Sequence, residues 1–228
     1  ISFGGIIKVC EGEKCGFADA SGKIIFPVKY NALQYSEGMA RVRNSDGTFS
    51  YVDKTGKTVI GPSFNVGEFK EGLCSVMVSR DKTGYVDTKG EFVIPADFTW
   101  GANFIDGIAL VDVEGKYGYI NKKGEFVIKP KFAFTSGVFK NGYLCVSDEN
   151  KPGSGAYYFI DKTGEKALGG ITSYYKTKFS NGLAVIAKEK KITTENASRD
   201  YVLYGVIDTK GELIAPIKYF KIKDFRSP

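Results

Sequence analysis

The chain has 228 residues, is 43% hydrophobic and 25% charged, and carries a net charge of +6 from 32 basic and 26 acidic residues, which is the composition of a soluble globular protein. No run of 18 apolar residues occurs, so no membrane-inserted helix is expected, and the lysines are spread through turns instead of forming a stripe, which argues against nucleic acid as a partner. Histidine is absent, which removes the commonest general base and metal ligand, and the cysteines at 10, 15, 74 and 145 form no zinc pattern, so no cofactor or metal is expected.

The sequence starts at Ile1 and is expected to follow a segment removed upstream. Residues 5–9 read as a lone strand. Cys10 and Cys15 then flank Glu11-Gly12-Glu13-Lys14, a hairpin loop. Opposed strand residues approach closely enough for a disulfide. Two readings stand: a structural disulfide in an exported protein, or two reduced surface thiols in a cytosolic one.

From here the chain repeats. Turn glycines fall at Gly22, Gly56, Gly90, Gly124, Gly164 and Gly211, the first four 34 residues apart and the next steps 40 and 47. Three residues before each stands Asp19, Asp53, Asp87, Asn121, Asp161 or Asp208. Asp or Asn opening a type I turn, followed by a glycine at positive φ, makes a hairpin connection, so these acids read as turn formers and not catalysts. Short β-branched and aromatic runs such as Tyr117-Gly118-Tyr119-Ile120 precede each turn, and strands ended by Pro27, Pro62, Pro95, Pro130 and Pro216 follow it. Two aromatic series come next: Tyr30, Phe64, Phe98, Phe132 and Tyr219, then Tyr35, Phe69, Phe104, Phe139, Phe179 and Phe225. Repetition at fixed offsets predicts that they plug the core between neighbouring units. A third strand begins at Gly38, Gly72, Gly107, Gly142 and Gly182 and closes each unit.

The string Tyr117-Gly118-Tyr119-Ile120-Asn121-Lys122-Lys123-Gly124, then Pro130-Lys131-Phe132, then Phe139-Lys140-Asn141-Gly142, resembles the WG (KWG) repeat of bacterial proteins, and the likeness covers nearly the whole chain in six copies. It departs at the residue that names the family, where this chain has Cys15, Phe49, Thr83, Tyr117, Tyr157 or Tyr204. The resemblance implies tandem β-repeats, often in secreted or cell-envelope proteins, without enzymatic activity or a common ligand.

The expected fold is all-β: one domain over 1–228, with six tandem repeats of about 34 residues, each a three-stranded antiparallel meander, arranged as a propeller-like ring or an open β-superhelix. In a ring, residues 5–9 would pair near 204–215. In an open spiral, residues 217–228 would cap the end.

Function is sought where repetition stops. Insertions swell the hairpin at 147–156 and at 187–203, on what should be one face. The second carries Lys188, Lys190, Lys191 and Arg199, and Trp100, Tyr174 and Tyr175 also break the pattern. These are the candidate contacts for a protein partner or a surface glycan. Gly153-Ser154-Gly155 has no following helix, so it does not read as a phosphate loop, and Asn196-Ala197-Ser198 matches a glycosylation acceptor. The expected function is a non-catalytic scaffold for protein–protein interaction in a secreted, periplasmic or cell-surface protein. The alternative is a carbohydrate-binding module using exposed aromatics. A carboxylate glycosidase would have to draw on Asp148, Glu149, Glu195 or Asp200.

Overall fold

The computed structural model describes residues 5–63, 65–148, 157–194 and 197–220. Phe64, Glu149, the 153–155 glycine pair, Glu195, Asn196 and Phe225 lie outside the described residues. The turn chemistry sets the strand spacing. Asp19 Oδ1 accepts hydrogen bonds from the N–H groups of Ser21 (2.9 Å) and Lys23 (3.1 Å), and Gly22 N–H donates to Asp19 O (3.0 Å). The same pattern recurs at Asp53, Asp87, Asn121, Asp161 and Asp208. All six turn glycines sit between φ 82° and 94°, where a side chain would be strained.

These bonds hold several turn carboxylates below their usual pKa. The cause is chiefly the hydroxyls of Ser21, Thr55 and Thr163 for Asp19, Asp53 and Asp161, and the Glu91 N–H for Asp87. A carboxyl whose pKa is depressed on folding adds stability above its unfolded pKa and loses it as pH falls through the folded value. Urea melts are therefore expected to be level from pH 7 to about 5 and to fall progressively below about 4. A flat profile down to pH 2 would remove these carboxylates from the stability balance.

Strands follow one another as antiparallel meanders. The first sheet holds β1 (Ile7–Glu11), β2 (Lys14–Ala18) and β3 (Ile24–Tyr30). The second holds β4 (Ala32–Ser36), β5 (Met39–Arg43), β6 (Phe49–Asp53) and β7 (Thr58–Ser63), and the third β8 (Asn65–Val66), β9 (Cys74–Ser79), β10 (Lys82–Val86) and β11 (Phe92–Phe98). Next, β12 (Trp100–Gly101) pairs with β13 (Ile108–Val113), and β14 (Lys116–Asn121) and β15 (Phe126–Phe132) follow in the chain. The fifth sheet has β16 (Phe134–Thr135), β17 (Leu144–Ser147), β18 (Tyr157–Ile160) and β19 (Thr172–Ser173). The last has β20 (Leu183–Thr194), β21 (Ala197–Asp208) and β22 (Leu213–Tyr219). The chain is thus all-β, and the three-stranded meander gains a short leading strand of two to five residues in β4, β8, β12 and β16. β1 pairs with β2 and forms the edge of the first sheet, instead of joining the sheet of β20–β22.

Two compact units divide the chain: Ile1–Val113 with Ile120–Glu125, and Glu114–Tyr119 with Phe126–Pro228. One aromatic pair recurs within them. Its first ring stands two residues before the turn Asp or Asn, and its second stands three residues before the glycine that opens the next third strand. In the first unit Phe17 meets Tyr35 (5.5 Å between centroids), Tyr51 meets Phe69 (5.0 Å) and Tyr85 meets Phe104 (5.0 Å). In the second, Tyr119 meets Phe139 (5.5 Å) and Phe159 meets Phe179 (5.2 Å). Since Tyr51 lies on β6 and Phe69 follows β8, the contact joins neighbouring sheets, which is the plugging role expected of these rings. Tyr51 Oη donates to Gly67 O (2.8 Å), Tyr85 Oη to Ala102 O (2.8 Å) and Tyr119 Oη to Gly137 O (3.1 Å). Burial pushes the Tyr119 phenol up to about 12, so it stays a donor. In the other aromatic series Phe98 and Phe132 are buried, but Tyr219, on the edge strand β22, is 41% exposed.

Each third strand is entered through a two-residue turn whose signal is the dipeptide Glu37-Gly38, Glu71-Gly72, Asp106-Gly107, Asn141-Gly142 or Asn181-Gly182, with both residues at positive φ. Positive φ at both central positions is the type I′ hairpin signature. Gly72 N–H donates to Glu37 Oε1 (3.1 Å) and Gly107 N–H to Glu71 Oε2 (3.1 Å). The Glu37 and Glu71 carboxylates thus each cap the equivalent turn one repeat on, and Lys122 Nζ closes on Glu71 at 3.0 Å.

Cys10 and Cys15 face one another across the β1–β2 hairpin and are joined as a disulfide. Cys74 and Cys145 are free and buried, with burial pushing their thiols up to about 12 and about 11. Thiolate is the reactive form, so neither should react with a thiol reagent at pH 8 in the native protein. Denaturation without reductant should expose two thiols and denaturation with reductant four. Four without reductant would remove the disulfide.

Candidate functional site

In the second unit the 187–203 insertion is not a loop. It continues β20 and β21 as a ribbon whose register runs unbroken from Leu183↔Asp208 to Thr194↔Ala197. The sequence concealed this because Lys188-Glu189-Lys190-Lys191 lacks apolar alternation. The ribbon outruns its neighbours: Tyr174 N–H reaches only Ala187 O (2.7 Å), and β22 pairs with β21 only over Tyr204–Ile207. Directly opposed residues share a face, so the pairs Lys188↔Leu203, Lys190↔Tyr201 and Ile192↔Arg199 put Lys188, Lys190, Arg199 and Tyr201 on one side. Tyr201 meets Phe220 edge-on at 5.7 Å, and Phe220 is 67% exposed. Lys191, opposite Asp200, falls on the other face with Glu189. The four cations named from the sequence therefore divide three to one.

The second face continues into a groove of about 730 Å³ lined by Phe134, Ser173, Tyr175, Lys176, Thr177 and Tyr204, among others. Tyr175 and Tyr204 lie parallel, 6.4 Å apart at 15°, and Tyr174 stands edge-on to Tyr175 at 4.9 Å. The negative charge of Glu189 raises the Tyr174 phenol pKa, with Asp200 adding to it, which places Tyr174 within the field of the ribbon's acidic side. Lys188 Nζ donates to Thr172 Oγ1 at 2.6 Å, tying the base of the ribbon to β19.

Trp100 belongs to the first unit. It lies on β12 opposite Asp112, is 41% exposed, and rims a separate hollow of about 260 Å³. Sequence reasoning named Trp100 but missed the hollow, whose other walls come from Asn65, Ser75, Met77, Thr83 and Asn103.

Neither cavity is lined by Asp or Glu. Asp148 accepts the Tyr158 hydroxyl at 2.9 and 3.0 Å, and Asp200 is exposed on the ribbon. Among the described residues, no group of three His, Cys, Asp or Glu could hold a metal ion, and no helix is long and apolar enough to cross a membrane.

Similar solved structures include BamB from Moraxella catarrhalis, at 13% identity over 92% of this chain and 71% of that one, with a TM-score of 0.43. The WD40 β-propeller domain of Doa1 matches at 9% identity over 80% of this chain and 66% of that one, TM-score 0.39. KlHsv2 carrying a Gly-Ser linker in place of loop 6CD matches at 12% over 90% and 82%, TM-score 0.44. No curated protein matches the sequence. The family described as WG containing repeat matches residues 16–47, 49–79, 84–117, 117–151 and 204–227. Those segments include the turns at Gly22, Gly56, Gly90, Gly124 and Gly211 and cover more than half of the sequence, and the chain belongs to the WG-repeat family.

Proposed function

We propose that the chain is a single, non-catalytic repeat scaffold that binds a protein partner through the β20–β21 ribbon, within a protein exported to the bacterial cell envelope. The ribbon carries this reading. It departs from the repeat to project Lys190, Arg199 and Tyr201 on one face, with Lys188 tied to Thr172 at its base, a combination that suits an acidic partner surface with apolar contacts. The engagement of the turn acids in hydrogen bonds and the lack of carboxylates in either cavity support a role without catalysis. The Cys10–Cys15 disulfide supports an oxidising compartment. Lys190→Glu with Arg199→Glu is expected to abolish capture of partner protein from an envelope extract, and high salt should weaken capture by the unaltered chain. Equal capture by the double variant would overturn the ribbon as the contact surface.

A second reading is carbohydrate binding through the groove, favoured by the parallel rings of Tyr175 and Tyr204. Glycan-array binding lost on Tyr175→Ala would support it. Binding unaffected by Tyr175→Ala would move the sugar elsewhere.

A further inference from the structure

We propose that the hollow of the third sheet, in the first unit, binds the ring of a neutral sugar. The inference goes beyond the scaffold reading and shares with the carbohydrate reading only the class of ligand, since its residues and its unit differ from those of the groove.

The hollow lies where the third sheet carries polar residues at two positions that hold rings in the fifth. Seven residues before the turn glycine the other repeats carry Phe49, Tyr117, Tyr157 and Tyr204, or Cys15, whereas the third carries Thr83. On the leading strand of the fifth sheet, Phe134 packs edge-on against Tyr157 at 5.3 Å. The same strand position in the third sheet, one residue before the residue paired with the central valine, is Asn65. Asn65 and Thr83 thus stand where the fifth sheet has its ring pair, and both line the hollow.

Its chemistry narrows the ligand. Thr83 is 3% exposed, and its Oγ1 has no hydrogen-bond partner. A buried hydroxyl left unpaired is unfavourable, and native proteins rarely keep one without a purpose. Asn103 Oδ1 accepts the Glu68 N–H at 3.1 Å, which fixes the amide and leaves its NH2 as a donor. A Cβ at Gly67 would stand 2.3 Å from Ser75 Oγ and 2.6 Å from Asn103 Oδ1, so glycine keeps these polar groups close together. The lining contains no charged residue, and an ionic ligand would be desolvated there without a counter-charge. The indole of Trp100 stands half-exposed at the rim. A pyranose matches this set: an apolar C–H face to lie on the indole, and hydroxyls that both donate and accept for Thr83, Ser75, Asn65 and Asn103.

Trp100 is the only tryptophan, so its emission in the full chain reports on the hollow alone. Maltotriose, cellotriose, laminaritriose and chitotriose are titrated separately. At least one is expected to shift the emission saturably. Thr83→Val should weaken that binding about tenfold or more without lowering the thermal midpoint, because the hydroxyl removed has no partner in the protein. Tyr175→Ala and the ribbon double variant should leave the response intact. Four flat titrations would overturn the proposal and leave the hollow to water. Equal binding by Thr83→Val, or a lowered midpoint, would overturn the role of the hydroxyl. Sugar binding on an array with no change in Trp100 emission, lost on Tyr175→Ala, would sink this site while upholding the groove.

Discussion

Phe104→Ala is expected to lower the unfolding free energy by about 3–5 kcal/mol, seen as a lower urea midpoint at unchanged slope. The ring is 1% exposed and packs edge-on against Tyr85 within a cluster that includes Leu73, Ile94, Phe98, Val111 and Ile120. Removing it takes away apolar burial and leaves a void between two sheets, which twisted backbone cannot close without breaking its ladders. Tyr85→Phe separates ring from hydroxyl. It keeps the packing and loses only the bond to Ala102 O, at a cost of about 1 kcal/mol. Val93, 47% exposed on the same hairpin, is the control, and its replacement by alanine should move the midpoint little. A loss below about 1 kcal/mol for Phe104→Ala would mean that the aromatic pair does not hold neighbouring sheets together.

Gly84→Ala is the second large effect, at about 2–4 kcal/mol. A Cβ there would lie 2.7 Å from Ile94 O and 2.8 Å from Ala96 N. Both are backbone atoms of the partner strand, so no side chain can swing aside to relieve the clash. A Cβ at Gly16, Gly118 or Gly205 would lie 2.4 to 2.9 Å from a carbonyl oxygen of that glycine's own partner strand. The register of the β10–β11 pairing is broken by bulges on either side of Tyr85, and the strands come together there. Gly107→Ala tests the other way in which glycine matters. Its Cβ would meet nothing within 4 Å, but its φ is +80°, so the cost should be nearer 1–2 kcal/mol. If Gly84→Ala cost no more than Gly107→Ala, close approach would not explain the repeated Gly.

The parts legible in the sequence are those set by neighbouring residues. Asp19 and Gly22 announce a turn because its bonds close within five residues. Phe69 and Phe104 announce burial because the same ring returns at nearly the same offset in each copy. The leading strands were not legible. Asn65–Val66 and Trp100–Gly101 are two residues long, too short to show alternation, and exist only because β9 and β13 offer them an edge. The ribbon was hidden by its own solvation, since a two-stranded projection has no core face to make apolar. Thr83 was visible as a departure from the family pattern. Its meaning depends on Asn65, which lies 18 residues away on a strand with no signal of its own.

The bonds from Glu37 to Gly72 and from Glu71 to Gly107 give the array a direction. Acceptor and donor sit in the same dipeptide, so one segment holds both halves of the joint. A gene that grows by copying such a segment copies the joint with it, and each added copy arrives able to grip the one before. The 40- and 47-residue spacings place their extra length in the hairpin between third and first strands, away from the Asn141-Gly142 and Asn181-Gly182 turns that take the place of that dipeptide. New surface can therefore be acquired in one copy without disturbing the turn that opens its third strand, which is the condition under which a monotonous lineage of repeats can diversify one ribbon or one hollow at a time.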